Sequence, residues 1–211
     1  MKKQEKYLLL YERLYALYGD CECPLKHDSP FQLLAAVMLS AQCRDERVNQ
    51  VTEKLFALAP DAQSMSGLDI ATVEKLIHPC GLSQVKSRNL HACAGMIIND
   101  FKGEVPDRME ELVKLPGIGR KSANVILGNA FSIPGFPVDT HVRRLLNRIG
   151  CVKSDSPEAV EADVNRHLPE RLWTNFSHLL IQHGRQCCSS ARPQCHNCAI
   201  SDICKKVNVK K

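Results

Sequence analysis

Residues 115–123 read LPGIGRKSA, with the apolar-periodic stretch EELVKL (110–115) before them and SANVILGNAF (122–131) after. Two glycines two positions apart are poor helix formers, so one helix ends here and another begins. Pro116 stiffens the turn, and Gly117 and Gly119 permit positive φ and a close approach of a ligand to the backbone. The turn opens directly into a helix start. N–H groups there have no intrahelical acceptor and the helix dipole is positive, so an anion is favoured. Arg120 and Lys121 add charge of the same sign. A nucleic-acid phosphate is the natural ligand, and such contacts position a protein without reading sequence. The same letters also suit a plain connector in which glycine only stops a helix.

Outward from this turn the chain keeps a helical period, and strand alternation is almost absent. Helices are expected over Gln4–Tyr18, stopped by Gly19, and over Phe31–Ala41, which is apolar nearly all round and therefore central. Another starts at Asp45, with Val48, Val51, Leu55 and Leu58 on its inner face, and ends at Pro60. Asp69 caps a short helix through Ile77. Ser83–Phe101 follows, with Leu90, Ala94, Ile97, Ile98 and Phe101 inward. Asp107 and Glu110 fit a capping box for a helix reaching Lys114. Then come Arg120–Phe131, the helix after Asp139, Pro157–Leu168 and Glu170–His183, the last stopped by Gly184. The fold class is all-α, and SIPGFP at 132–137 is the expected crossing between two helical lobes.

Three groups of residues carry chemistry. Lys121 stands at a helix start beside Arg120. Both features disfavour its ammonium form, partial burial would add to this, and a neutral amine can form a Schiff base at an aldehyde-level carbon. Asp139, in PVDTH (137–141), serves as an N-cap, and a carboxylate there can also act as an electrostatic partner or base. Cys188, Cys195, Cys198 and Cys204 follow C-x6-C-x2-C-x5-C, close enough to surround one metal centre. Their spacing admits a tetrahedral zinc or an iron–sulfur cluster.

Composition sets the surroundings. The chain has 211 residues, 44% of them hydrophobic, enough for a real core. Its 11 cysteines are an odd number, so complete internal pairing is impossible; the expectation is free thiols in a reducing compartment plus one metal site. A net charge of +5 permits nucleic-acid binding without requiring it. The N-terminus lacks the long apolar run of a signal peptide, and no stretch approaches a transmembrane length. A cytoplasmic protein with no membrane partner is expected.

The segments SPFQLLAAVMLSAQCRD (29–45), GLSQVKSRNL (81–90), GEVPDRMEELVKLPGIGRKSANVIL (103–127), PVDTHVRRLLNR (137–148) and HGRQCC (183–188) with its following cysteines resemble the helix–hairpin–helix DNA glycosylases, in their endonuclease III branch. The resemblance implies a six-helix barrel over 24–133, a second lobe from 1–23 and 134–211 carrying the metal centre, and a DNA cleft between them. It implies a 4Fe-4S cluster on Cys188, Cys195, Cys198 and Cys204, with Cys187 outside the set. It places the catalytic lysine at Lys121, the catalytic aspartate at Asp139, the gap-filling glutamine at Gln42, a wedge at Leu82 and the hairpin glycines at Gly117 and Gly119. Arg120 and Arg192 join these as DNA contacts. The implied activity is a bifunctional DNA glycosylase and abasic-site lyase of base excision repair. It would remove oxidised pyrimidines from double-stranded DNA and cut 3′ of the abasic site by β-elimination, as a monomer.

Two departures stand out. The loop between the first two cluster cysteines, often rich in Lys and Arg in the family, holds only Arg192; Lys205 and Lys206 are candidates to make up the deficit. Cys43 follows Gln42 where small residues are usual. Two rival readings are a monofunctional adenine glycosylase on the same fold and a non-catalytic zinc-containing DNA-binding module. The first usually lacks the lysine after Gly-Arg and carries a long C-terminal domain, whereas this chain has Lys121 and ends soon after Cys204. The second predicts no brown colour and no covalent adduct.

Overall fold

A computed structural model of the chain describes residues 2–209. Among these, every regular element is helical: eleven α-helices and three 3-10 turns, with no strand. The chain divides into two compact units, one from Cys23–Ile133 and one from the residues up to Glu22 together with those from Pro134 onward.

The Cys23–Ile133 unit is built around α2, Pro30–Leu39, in which every residue from Phe31 to Leu39 is buried. Pro30 stands at its first turn, and the Ser29 side chain accepts from the Gln32 amide at 3.2 Å. The expected end at Ala41 moves back to Leu39, because the Ser40 hydroxyl donates to the Val37 carbonyl at 2.8 Å and the chain then turns. Helix α3, Asp45–Leu58, buries Val48, Val51 and Leu55. Leu58, expected inward, is 55% exposed, and the buried place next to it goes to Ala59.

A short helix the periodicity did not indicate, α4 at Ala62–Gly67, is started by Asp61, whose side chain accepts from the Ser64 amide at 2.8 Å. Asp69 caps α5, Ile70–Ile77, and α6 runs over Ser83–Phe101. Helices α4 and α5 both pack on α6, and α2 packs on both α6 and α8.

The expected Asp107 capping box is absent. Helix α7 is only Met109–Leu112, its N-cap residue is Arg108, and no side chain caps it. Helix α8, Arg120–Ala130, follows the turn.

The other unit packs α11 against α1 and α9, and α10 against α1 and α9. These are α1 (Lys3–Tyr18), α9 (Thr140–Ile149), α10 (Pro157–His167) and α11 (Trp173–Gln186). Helix α11 starts later than expected, after a 3-10 turn at Glu170–Leu172, and continues through Gly184 rather than stopping there. The reason is packing: a Cβ at 184 would lie 2.8 Å from His141 Nδ1 and 3.2 Å from Arg144 Nη2. Gly184 lets two side chains of α9 approach the backbone of α11.

Within a largely aliphatic core, this unit buries three aromatic rings, Tyr7, Phe136 and Phe176. Phe176, fully buried, lies 5.9 Å from the Phe136 ring in a stacked arrangement and 6.2 Å from Tyr7 edge-on. Tyr7 donates its hydroxyl to Asp163 at 2.7 Å, and burial with that carboxylate beside it raises its pKa. Phe176→Ala is expected to cost about 3–5 kcal/mol by the cavity it leaves, read as a lowered urea midpoint with an unchanged slope.

Candidate nucleic-acid interface and metal centre

The hairpin between α7 and α8 is set by a buried side chain at every third position. Leu112, Leu115 and Ile118 are buried, while Gly117, Gly119, Arg120 and Lys121 are exposed. The Ile118 amide donates to the Leu115 carbonyl at 3.1 Å and closes the turn. The two glycines have different reasons. Gly117 has φ +82, and a Cβ there would lie 3.0 Å from Asn89 Nδ2 and 3.3 Å from Met38 Cε. Gly119 has φ −98, and nothing stands within 4 Å of where its Cβ would be. Neither conformation nor internal packing therefore demands glycine at 119. What its bareness does is leave the start of α8 open, since Gly119 is the N-cap and no side chain caps that helix. Lys121 is the second residue of α8; the partial burial considered from the sequence is not found, because its side chain meets solvent.

Gln42 and Leu82 lie in the same unit, and both take left-handed backbone, φ 56 and φ 51. Both are exposed, Leu82 by 55%. The turns that hold them share one anchor that sequence reading passed over. Lys86 in α6 is buried, and its Nζ donates to the carbonyls of Leu39, Ala41 and Cys80 at 2.8, 2.8 and 2.9 Å. The signal was present: Lys86 stands four residues before Leu90, on the stripe continued by Ala94 and Ile97. Beside it, burial and then the Cys43 thiol push the Cys80 thiol up to about 11. Cys43 is half-buried and packs against the core of this unit.

In the other unit, Asp139 is the N-cap of α9, its Oδ1 accepting from the Val142 amide at 2.8 Å. It is half-buried. Burial lowers the pKa of His141, next but one along the chain, while Asp139 pulls it the other way.

At its far end α9 meets the cysteines. Arg144 Nη2 donates to the carbonyls of Gly184 at 3.2 Å and Cys188 at 2.9 Å. Arg148 donates to the carbonyls of Ser189 and Ser190, both at 2.6 Å, and its Nη1 lies 3.5 Å from Cys188 Sγ. Arg192, in the following loop, is exposed and donates its own amide to Ser189 Oγ at 3.2 Å.

Cys187, Cys188, Cys195, Cys198, Cys204 and His183 line one recess walled by Leu145, Ile149 and Ile200. Within it the ligand atoms of His183, Cys187 and Cys198 lie within 4.8 Å of one another. Two of these three stand outside the four-cysteine set expected from the sequence. His183 was not foreseen; it is buried, and burial lowers it to about 4, so it is neutral at pH 7. Its Nδ1 meets the Tyr18 hydroxyl at 3.0 Å and its Nε2 meets Cys198 Sγ at 3.4 Å. Burial and the Cys198 sulfur push the Cys187 thiol up to about 12. The donor set is soft and sulfur-rich, and the Lys206 amide reaches Cys204 Sγ at 3.4 Å. Thiolates gathered beside N–H donors suit zinc or an iron–sulfur cluster. The residues fit a sulfur-held metal group.

Residues 35–170 match a family described as HhH-GPD superfamily base excision DNA repair protein. The chain is 45% identical to the endonuclease III of Synechocystis sp. over 192 residues, 90% of this chain and 88% of that one. It is similar to a solved non-covalent endonuclease III–DNA complex, with 36% identity, a TM-score of 0.92, and 98% and 97% of the two chains covered. The same identity, TM-score and coverage relate it to a trapped endonuclease III–DNA covalent intermediate.

The contrast between the two glycines is measurable. Gly117→Ala is expected to destabilise by about 2 kcal/mol, from the left-handed backbone and the crowding by Asn89. Gly119→Ala should change stability by under about 0.5 kcal/mol, because a stiffer unfolded chain offsets a poorer cap. Urea denaturation of both variants checks this.

Proposed function

We infer the chemistry of this protein from one premise: the chain belongs to the HhH-GPD superfamily of base excision DNA repair proteins, alongside endonuclease III. It is a DNA glycosylase with abasic-site lyase activity. The substrate assigned here is double-stranded DNA carrying oxidised pyrimidines or abasic sites, handled by a monomer in the cytoplasm and on the nucleoid. Among the described residues no helix is long and apolar enough to cross a membrane.

The observation that carries the reading is Lys121, an exposed primary amine at the second position of a helix with a bare glycine cap. A base inside a stacked duplex is out of reach, so it is flipped out first. Gln42 fills the space the nucleotide vacates, and Leu82 wedges the stack. Gly117, Gly119 and Arg120 hold backbone phosphate at the hairpin, with Arg192 a further contact. The lone pair of Lys121 forms a bond to C1′ of the deoxyribose, the glycosidic bond breaks, and the base leaves with a proton. The ring oxygen takes up a proton and the sugar opens, leaving a protonated Schiff base between Lys121 and C1′. That cation acidifies the C2′ proton, whose loss expels the 3′ phosphate and cuts the strand. Asp139 stabilises the positive charge that develops on the sugar, or takes the proton from the attacking amine.

Cys188, Cys195, Cys198 and Cys204 are assigned to hold a 4Fe-4S cluster, with Cys187 and His183 lining the same recess outside the ligand set. The cluster, when bound, would cross-link the segment after α11 and so support the loop carrying Arg192. Purified protein should then carry about four irons per chain. Cys188→Ser should lower iron content and Cys187→Ser should not. One zinc without iron, or the reverse pattern in the two variants, rules the assignment out.

Lys121→Gln keeps the size and polarity of the side chain but removes the amine. Borohydride-trapped adduct and strand nicking should vanish while DNA binding persists; a trapped adduct at the wild-type rate would make another amine the nucleophile. Asp139→Asn should leave the fold intact, since asparagine caps a helix as well as aspartate does. Its single-turnover excision should slow by about 100-fold or more, because the charge facing the cationic sugar is gone.

A further inference from the structure

Lys86 is 4% exposed, and its three named partners are all carbonyls, none a carboxylate. An ammonium has three N–H groups and no acceptor, so these contacts fill its donor capacity. Burial alone works against the charged form, as the lowered pKa reflects, and the charge-assisted bonds are what hold it in place.

The carbonyls come from two separate turns. Leu39 ends α2, and Ala41 immediately precedes Gln42. Cys80 immediately precedes Gly81–Leu82. Holding the Ala41 oxygen fixes the peptide plane from which the φ of Gln42 is measured. Holding the Cys80 oxygen fixes the plane entering Gly81, whose φ is +69, and then Leu82. Gln42 and Leu82 are both non-glycine residues in left-handed backbone. Such conformations persist only where their surroundings over-determine them. A single buried ammonium does this for both turns at once.

We propose that Lys86 is a positioning residue for base extrusion: it locks the Gln42 turn and the Leu82 turn into one geometry so that both side chains enter the duplex together. The inference rests on the assignment of Gln42 and Leu82 to the DNA stack given above. It makes Lys86 necessary where a base must leave a paired stack and dispensable where no stack has to be opened.

Lys86→Met keeps an unbranched stem of similar volume and removes every donor. Single-turnover rates are measured on two substrates, duplex DNA with a damaged pyrimidine and a single-stranded oligonucleotide with a preformed abasic site. Duplex excision should fall by about 30-fold, while single-strand cleavage stays within about twofold, the signature of a misplaced group away from the chemistry. In a Gln42→Ala/Leu82→Ala background, Lys86→Met should cause no further loss, because the path it acts through is already gone. Equal losses on both substrates, or a full further loss in that background, would mean a general packing role and overturn the proposal. If Gln42→Ala/Leu82→Ala alone leaves duplex excision unchanged, it is the parent assignment that fails. Should Lys86→Met not fold, Lys86→Gln, which keeps two N–H donors, goes through the same substrates and background, and equal loss on both again overturns the proposal.

Discussion

Burial of Leu115 and Ile118 fixes the hairpin, and the hairpin decides where an amine and the start of a helix meet solvent. Each of these side chains gains about 1.5–3 kcal/mol by leaving water, enough to hold a short turn that has little structure of its own. The residues between and after them are then forced outward. Gly117 absorbs the sharp bend with its positive φ, close against Asn89. Gly119 carries no such duty and serves by having no side chain. An open helix start therefore arises from apolar packing underneath it: the core positions the backbone, and the backbone presents N–H groups to solvent.

The other unit solves a similar problem with a single helix. Asp139 begins α9 and Arg148 stands one residue before its end. Arg144 and Arg148 reach four carbonyls between Gly184 and Ser190, the last three of them consecutive. Bonds from a charged donor are stronger than neutral ones, and several on one short segment restrain it more than its own packing would. The close approach depends on Gly184 lacking a Cβ. The arrangement carries some tension, since Arg144 Nε is buried without a hydrogen-bond partner. A metal group held by the cysteines and the two arginines would thus act on the same stretch of chain, the one from sulfur and the others from carbonyl oxygen.

Local chemistry was the legible part of this sequence. Asp69 caps α5 and Ser83–Phe101 is a helix because the residues that decide these features lie within a few positions of one another. The misreadings come from distance. Gly184 reads as a stop signal, yet it continues a helix because side chains from α9, some forty residues away in sequence, need its bareness. Asp107 and Glu110 fit a cap, yet the helix starts later and without one, since the turn following it is anchored by Leu112 and Leu115. Asp61 started a helix too short for periodicity to register. At the cysteine recess, spacing picked out four sulfurs but could not show His183, which arrives from the helix before them.

Lys86 and Lys121 mark where reading by residue type runs out. Both are lysines in the first turns of helices in one unit, and composition treats them alike. The distinction is visible only through the stripe each one occupies. Lys86 falls in line with Leu90, Ala94 and Ile97, so α6 carries its stem into the core, where the only way to keep a charge is to surround it with oxygen. Two chain turns supply that oxygen, and each is held to the same point by doing so. Lys121 sits beside Arg120 on the face of α8 that Ala123 and Ile126 leave to solvent. Its amine is open to solvent, whereas that of Lys86 is enclosed by three carbonyls. The same side chain becomes an exposed amine or a buried staple according to a helical phase of a few residues.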